Sequence, residues 1–160
     1  MTIKVGDKIP NITISTMTAD GPVDITTDEI FGGKKVVMFA LPGAFTPTCS
    51  AAHVPGYVVH NDAIKAKGVD TIACLSVNDA FVMGAWGESQ NVDDNILMLG
   101  DGSASLTQAL GLELDLTERN FGIRSQRYAL IAEDGIVTHL NLEPAGGLEV
   151  SDAETILKLL

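Results

Sequence analysis

A single cysteine, Cys49, stands where a predicted helix begins. Residues 41–50 join an apolar run to a helical pattern, and Thr46 followed by Pro47 is typical of an N-cap and a first helical residue. Cys49 is then the third helical residue, where free backbone N–H groups and the helix dipole favour a thiolate over a thiol. The Thr46 hydroxyl is placed to accept a hydrogen bond from the Cys49 N–H and to donate its proton to a sulfur or substrate oxygen. The segment therefore predicts a nucleophilic cysteine.

An ionised thiol at neutral pH also requires a cation. A helix terminus supplies typically about 0.3 to 1 kcal/mol, which by itself is too little to keep a cysteine ionised. Basic residues are sparse, and those best placed near a strand end are Arg124 and Arg127 in residues 122–128. Arg127 opens a predicted strand whose end could lie beside the helix start, so we expect it to be the partner of Cys49. Arg124 could be a second active-site cation, but we expect instead an ion pair that holds Arg127 or one with a surface carboxylate.

The spacing of these residues resembles a known motif. Pro42-x-x-x-Thr46-x-x-Cys49 is similar to the peroxidatic motif of the peroxiredoxins, and residues 42–50 together, PGAFTPTCS, resemble the peroxiredoxin 5 (type II) subfamily. Three further stretches resemble the same subfamily, namely residues 73–82, 122–128 and 134–137. The resemblance therefore runs over nearly the whole chain.

The resemblance implies a role for each residue of the site. By it, Cys49 is the peroxidatic cysteine, Thr46 hydrogen-bonds the peroxide and the sulfur, Pro42 shields the site, and Arg127 stabilises the thiolate and the transition state. The chemistry makes similar demands, because negative charge develops on the departing oxygen when the thiolate breaks the O–O bond. The products are a Cys49 sulfenic acid and water or an alcohol. The implied substrates are hydrogen peroxide and alkyl hydroperoxides, and neither a cofactor nor a metal is predicted.

The position of a second thiol decides how the sulfenic acid is resolved. Subfamily members that form an internal disulfide carry a resolving cysteine in a stretch corresponding to residues 147–151, where this chain has Val150. Cys74, the only other cysteine, lies within an apolar strand pattern, where a free cysteine usually acts as a small buried hydrophobe. We therefore predict a one-cysteine mechanism with an external thiol, which the resemblance implies is glutathione with glutaredoxin, or thioredoxin. A two-cysteine reaction through Cys74 is the alternative.

Two other classes of function compete with a peroxidase. A disulfide oxidoreductase of thioredoxin type needs two sulfurs spaced C-x-x-C, and Thr46 occupies the place of the first. A chaperone or a peroxide sensor would consume peroxide stoichiometrically, rather than catalytically, when a thiol reductant is supplied. The missing second sulfur disfavours a disulfide oxidoreductase. Measuring how much peroxide is consumed with excess thiol separates a peroxidase from a chaperone or sensor.

Several residues near the motif have more than one interpretation. Cys49 and His53 stand four apart on the predicted helix, but two ligands do not make a metal site. A neutral His53 bonded to neighbouring backbone is the preferred interpretation, with a supporting role near Cys49 as the alternative. Phe45, Phe81 and Trp86 could form an exposed apolar patch through which two chains associate, or could pack in the core. The resemblance to dimeric members of the subfamily implies a homodimer.

The elements that must position these residues alternate between strand and helix. Predicted strands cover residues 11–17, 23–27, 35–41, 71–77, 96–99, 127–132 and 136–142, and the first two and the last two form hairpins. Predicted helices cover residues 47–67 with a kink at Pro55 and Gly56, 79–87 capped by Asn78, a brief segment from a Ser103 cap to Leu110, and a terminal helix opened by a capping box at residues 151–154. This order is that of a thioredoxin-like three-layer α/β sandwich with an added N-terminal β-hairpin and a mid-chain helix.

Length and charge restrict the remaining classes. The 160 residues, 46% hydrophobic and 19% charged, predict one folded domain over residues 1–160. Ten Lys and Arg against 21 Asp and Glu give a formal net charge of −11, which repels nucleic acids and anionic lipid surfaces. No apolar run approaches the roughly 18 residues of a membrane span, and the first residues do not resemble a secretory signal. We therefore expect a cytoplasmic protein.

Overall fold

The computed structural model describes residues 1–144 and 147–160 of the chain. Within these residues the backbone forms nine strands, and the seven predicted ones agree with the sequence pattern to within two residues at each end. They are β1 (Thr13–Thr18), β2 (Gly21–Thr26), β3 (Lys35–Ala40), β4 (Thr71–Ser76), β5 (Leu97–Gly100), β6 (Glu113–Leu116), β7 (Gly122–Ser125), β8 (Tyr128–Glu133) and β9 (Ile136–Leu142).

Seven of the strands form one mixed sheet in the order β2-β1-β5-β4-β3-β8-β9. β3, β4 and β5 run parallel at its centre, and the antiparallel hairpins β1-β2 and β8-β9 flank them. The central strands β3 and β4 are almost wholly buried because helices cover both faces of the sheet. β6 and β7 form a separate antiparallel ribbon.

The helices of the described residues are short except for two. They are α1 (Thr27–Phe31), α2 (Val54–Ala66), α3 (Ala80–Ser89), α4 (Ser105–Ala109) and α5 (Ala153–Leu157). Helical backbone begins at Pro47 and passes through a π turn, Cys49–His53, directly into α2. Among the described residues, no helix has the length and apolarity of a membrane span.

Two apolar clusters lie on opposite faces of the sheet. One packs α2, α3 and α5 against it and includes Phe39, Tyr57 and Trp86. The other packs α1 and α4 against the opposite face and includes Met38 and Leu106. Phe39 and Met38 are neighbours in β3, and the alternation of side chains along a strand sends them into different clusters. The predicted three-layer α/β sandwich with an N-terminal hairpin is therefore confirmed.

The long helix has the predicted extent and contains a π turn near its start. This π turn, which was not predicted, lies directly ahead of Pro55. The N–H of Val54 bonds to the carbonyl of Cys49, five residues earlier. Pro55 explains this widening, because proline has no N–H to donate and its ring crowds the carbonyl one turn before it.

Two predicted helix caps are wrong by one or two residues. Asp79, not Asn78, caps α3, and its carboxylate accepts from a backbone N–H of the first turn at 2.9 Å. Asp101, not Ser103, serves α4, and its two carboxylate oxygens accept from two backbone N–H groups at 3.1 and 2.8 Å. In both cases a carboxylate stands close to the predicted cap and satisfies the free donors of the helix start.

The terminal helix and two small elements also differ. α5 is capped by Asp152, whereas Ser151, the first residue of the predicted capping box, bonds elsewhere. The turn of the first hairpin lies at Ala19 and Asp20, so β2 begins at Gly21, two residues before the predicted strand. α1 and the β6-β7 ribbon were not predicted, because segments of four or five residues carry too little periodicity to be recognised.

Candidate active site

Cys49 lies just beyond the carboxyl end of the central strand β3. β3 ends at Ala40, and a short loop leads into helical backbone at Pro47. Cys49 is the first residue of the π turn, and its side chain is 0% exposed. The predicted position at a helix start is confirmed, and the sulfur is more deeply buried than the motif alone indicates.

Arg127 places its guanidinium against this sulfur. Its Nη2 lies 3.2 Å from Cys49 Sγ, in hydrogen-bonding geometry. Arg127 directly precedes β8, and the pairing of Tyr128 with Ala40 brings it beside the loop that follows β3. The guanidinium is itself buried, with 6% of the residue exposed, and its Nε has no hydrogen-bond partner within the described residues. The structure therefore brings together the predicted cysteine and the predicted cation.

His53 contacts the same guanidinium from one helical turn further on. Arg127 Nη1 lies 2.8 Å from His53 Nδ1, and because arginine only donates, Nδ1 accepts. Nε2 then carries the ring hydrogen and donates to the Ser151 carbonyl at 3.1 Å. Burial, and secondly the charge of Arg127, lower the pKa of His53 from 6.5 to about 4. Both predicted roles of His53 are therefore observed. The neutral ring bonds to a backbone carbonyl, and it also supports the Arg127 guanidinium that contacts Cys49.

The Cys49 and His53 pair is not arranged as a metal site. The positive guanidinium of Arg127 contacts both side chains, which opposes the approach of a cation. Across residues 1–144 and 147–160, no three His, Cys, Asp or Glu side chains are grouped as metal ligands would be.

A buried network that sequence reasoning missed lies behind His53. The carbonyl of Ser151 also accepts a hydrogen bond from the Tyr57 hydroxyl, at 2.7 Å. Glu143, 5% exposed, holds the segment that ends in Ser151 through hydrogen bonds from backbone N–H groups and the Ser151 hydroxyl. Glu143 and Ser151 are far from Cys49 in sequence, and only the fold shows that they meet its neighbours.

Thr46 is oriented differently from the prediction. Its hydroxyl donates to the Gly43 carbonyl at 2.7 Å, and its own carbonyl accepts from Ser50 N–H at 3.0 Å. Within the described part of the chain, no side chain caps the N–H groups at the start of the π turn. The hydroxyl proton is therefore used within the loop, and the lone pairs of the oxygen stay free to accept.

Arg124 contacts the same loop from the β7 strand. Its Nε donates to the Phe121 carbonyl at 2.9 Å, and its Nη1 makes a longer contact of 3.4 Å with the Pro42 carbonyl. The prediction of an ion pair for Arg124 is wrong, because its guanidinium contacts backbone carbonyls and not a carboxylate. Gly43 permits this approach, since a Cβ there would lie 2.8 Å from Arg124 Nη1.

Two further side chains fix the loop and the helix start. Asn78 Oδ1 accepts from the Ala44 N–H at 3.0 Å and from the Ser76 hydroxyl at 2.6 Å. The indole N–H of Trp86 donates to Ser50 Oγ at 3.0 Å, directly beside Cys49. Asn78 was predicted as a helix cap and Trp86 as an apolar residue, so neither polar role was anticipated.

Cys74 is a buried core residue, in agreement with the interpretation of its strand pattern. It lies in β4 opposite Phe39 of β3 and is 0% exposed. Burial, and secondly the nearby Cys49, raise the pKa of the Cys74 thiol well above its ordinary value. Cys74 therefore stays a neutral thiol near neutral pH.

The aromatic residues proposed as a patch divide into two kinds. Phe45 and Phe81 are 58% and 65% exposed, whereas Trp86 is fully buried. Trp86 is therefore a core residue and not part of a surface patch, because its ring fills space under α3 and its N–H has a partner. The homodimer implied by the resemblance stays a prediction.

Comparisons with known proteins show the family of the chain. The family model described as Redoxin matches residues 4–157. The chloroplastic peroxiredoxin-2E-2 of Oryza sativa subsp. japonica is 52% identical over 164 residues, covering 99% of this chain and 73% of the relative.

Solved structures extend the likeness to the whole fold. Reduced Prx3 of Vibrio vulnificus in complex with hydrogen peroxide is 58% identical, with a TM-score of 0.95 and 99% of each chain covered. The Plasmodium falciparum antioxidant protein, a 1-Cys peroxiredoxin, is 30% identical, with a TM-score of 0.91 and 98% of each chain covered. With a buried thiol, a guanidinium against it and these likenesses over nearly its full length, the chain belongs to the redoxin family and within it to the peroxiredoxins, which are thiol-dependent peroxidases.

Proposed function

We propose that this chain reduces hydrogen peroxide and alkyl hydroperoxides by a one-cysteine mechanism, with Cys49 as the peroxidatic cysteine and with Arg127, Thr46 and Pro42 assisting it. The observation that carries the proposal is the 3.2 Å contact between the Arg127 guanidinium and the Cys49 sulfur. The guanidinium is permanently protonated and little water screens this buried pair, so the contact stabilises negative charge on the sulfur.

The reaction begins with attack of the Cys49 thiolate on one peroxide oxygen. An S–O bond forms as the O–O bond breaks, and the second oxygen departs with a negative charge and takes up a proton. The products are a Cys49 sulfenic acid and water or, from an alkyl hydroperoxide, an alcohol. Arg127 Nε has no partner within the described residues and is available to donate to the departing oxygen, where a fixed donor is worth most.

Thr46 and Pro42 shape the place where the peroxide binds. Because the Thr46 hydroxyl proton is donated to Gly43, its oxygen serves as an acceptor for the O–H of the peroxide. This role replaces the predicted donation to the sulfur. Pro42 is half-buried in the same loop and brings no N–H group of its own, so it shields the sulfur from water without competing for the substrate.

Two positions could hold a thiol that reacts with the Cys49 sulfenic acid within the chain, Cys74 and Val150, and neither supplies one. This supports reaction with an external thiol. Cys74 is held as a neutral thiol in a central strand, and Val150 has no sulfur at the place where two-cysteine relatives carry one. A thiol such as glutathione, or that of glutaredoxin or thioredoxin, would condense with the sulfenic acid and release water. A second thiol would then attack the mixed disulfide and return Cys49 to the thiolate. The likeness to the 1-Cys peroxiredoxin of Plasmodium falciparum supports a mechanism with one cysteine.

Intact-mass analysis after one equivalent of peroxide tests the proposal. Without glutathione, the protein should gain one oxygen atom, located on Cys49. With glutathione, this species should convert to a mixed disulfide and then to the starting mass. A crosslink between Cys49 and Cys74 would overturn the one-cysteine mechanism, and a gain of oxygen without renewed peroxide consumption in excess glutathione would indicate a sensor rather than a peroxidase.

A further inference from the structure

A buried carboxylate behind the site is held in an unusual way. Glu143 Oε2 lies 3.0 Å from the N–H of Glu149, 2.9 Å from that of Val150 and 2.8 Å from that of Ser151. The Ser151 hydroxyl adds a fourth donor at 2.7 Å. Burial alone raises the pKa of Glu143, but these donors outweigh it and the net pKa is lowered. The carboxylate is therefore ionised and fixes three consecutive backbone N–H groups at once.

The segment fixed by Glu143 touches the site through one atom. The Ser151 carbonyl accepts from His53 Nε2 at 3.1 Å and from the Tyr57 hydroxyl at 2.7 Å. A carbonyl in this position requires the Nε2–H form of His53, which leaves Nδ1 as the acceptor for Arg127. The orientation of Ser151 thus determines which nitrogen faces the guanidinium.

Glu143 is also tied to Arg127 directly through the backbone. Its N–H donates to the Arg127 carbonyl at 3.0 Å, where β9 ends beside the start of β8. Glu143 therefore acts on Arg127 in two ways. Its backbone N–H holds the main chain of Arg127, and its carboxylate holds Ser151, which orients His53, the acceptor for the Arg127 guanidinium. The side chains on the path from Glu143 to Cys49, those of Ser151, His53 and Arg127, are all buried.

We propose that Glu143 is a positioning residue that holds the Arg127 guanidinium on the Cys49 sulfur by way of Ser151 and His53. The inference rests on the proposed function of Cys49 and Arg127 and adds a carboxylate that touches neither the peroxide nor the sulfur. When Glu143 no longer holds residues 149–151, the Ser151 carbonyl turns away, His53 loses its fixed tautomer, and Arg127 loses its alignment.

The test compares Glu143→Gln with Glu149→Gln in the full-length chain. The Glu149 side chain is exposed, so its substitution removes one negative charge from the segment that Glu143 holds and keeps the backbone N–H. The test follows thiolate absorbance against pH, to which Cys74 contributes nothing near neutral pH because burial raises the pKa of its thiol. We expect Glu143→Gln to move this titration to higher pH and to slow reaction with hydrogen peroxide about tenfold, while Glu149→Gln behaves as wild type.

Nitrogen-15 spectra of the histidine rings provide a readout that does not need turnover. The wild type and Glu149→Gln should show His53 as the Nε2–H tautomer, and Glu143→Gln a mixture of tautomers. A folded Glu143→Gln with wild-type titration, wild-type rate and a single His53 tautomer would overturn the inference. If wild type shows no catalytic turnover, the proposed function fails, while the titration and the spectra still decide the role of Glu143.

A milder variant keeps the inference testable should Glu143→Gln fail to fold. Ser151→Ala removes only the hydroxyl donor and leaves the carbonyl in place. We expect a smaller change of the Cys49 titration in the same direction. A titration and a His53 spectrum identical to wild type would then count against the role of Glu143.

Discussion

His53 accepts a hydrogen bond from Arg127 across 2.8 Å, and this direction fixes the protonation state of the ring. A protonated imidazole would place two buried positive charges in contact. Burial comes first among the causes that lower the pKa of His53, followed by the charge of Arg127. The Ser151 carbonyl and the carboxylates of Glu143 and Asp152 oppose this shift without reversing it. The arrangement around the sulfur therefore exists only with a neutral His53.

The first prediction is a loss of stability as the pH falls. The pKa of His53 is 6.5 as a free side chain and about 4 in the fold, so between these values the unfolded chain binds a proton that the folded chain does not. The free energy of unfolding should therefore rise with pH across this window, and the protein should lose about 3 kcal/mol from this residue on acidification. Urea unfolding at several pH values measures the change.

His53→Gln is the matched control for this prediction. A glutamine can accept from Arg127 and donate to Ser151 without titrating. The slope of stability against pH should be smaller in this variant between pH 6.5 and 4, the two pKa values of His53. Equal slopes in both proteins would assign the acid sensitivity to other groups.

The second prediction separates the two arginines near the loop. Arg127→Gln removes the charge from the sulfur, and we expect peroxide reduction to slow by about 100-fold or more and the thiolate to appear only at higher pH. Arg124→Gln also removes one positive charge, but that guanidinium contacts the Pro42 carbonyl, at a long distance of 3.4 Å from Nη1, and not the sulfur. Rapid-mixing kinetics with hydrogen peroxide should show a far smaller loss for Arg124→Gln. Equal losses would mean that general positive charge, and not contact with the sulfur, is what matters.

The reacting pair could be predicted from a local pattern together with the resemblance to the peroxiredoxins. The strand-to-helix junction placed Cys49 at a helix start, and the strand that Arg127 opens does pair beside β3, as the expected position of its end required. The orientation of the Thr46 hydroxyl was wrong, since a nearby carbonyl in the loop competes with the helix for its proton. That choice depends on loop geometry, which no pattern of residue types specifies.

The supporting residues lay beyond prediction because their partners are distant in sequence. Glu143 follows β9 and Ser151 precedes α5, and they come together beside His53 because β9 pairs with β8 and α5 packs on α2. The polar role of Trp86 was hidden for the same reason, because its partner Ser50 lies on a different helix. Long-range hydrogen bonds of this kind leave no periodic signal in the chain.

The third prediction concerns Cys74, which separates a one-cysteine from a two-cysteine reaction. Cys74→Ala keeps an apolar side chain in the core, and we expect peroxide turnover with glutathione to stay within about twofold of wild type, at a cost in stability of about 1 kcal/mol. Iodoacetamide at neutral pH should label the folded protein only at Cys49, because burial raises the pKa of Cys74. Loss of turnover in Cys74→Ala with an unchanged rate of the first peroxide reaction would identify Cys74 as a resolving thiol.

The last prediction concerns the hydrogen bond from Trp86 to Ser50, which fastens the first turn of the helix at 3.0 Å. Cys49 is fully buried, so an external thiol reaches the sulfenic acid only when this turn opens. A second peroxide, being small, competes for the same sulfenic acid and drives it to sulfinic acid. Removing the hydrogen bond should favour the thiol in this competition.

Ser50→Ala and Trp86→Phe remove the bond from either side and should act alike. We expect each to complete several-fold more turnovers before inactivation by excess peroxide, with sulfinic acid counted by intact mass. Ser50→Ala should cost about 1 kcal/mol of stability, the usual net worth of one hydrogen bond, and Trp86→Phe more, because a smaller ring leaves a space in the core. Since the two variants share only the lost bond, a slower inactivation in one and not in the other would assign the effect to core packing and remove this bond from the control of Cys49.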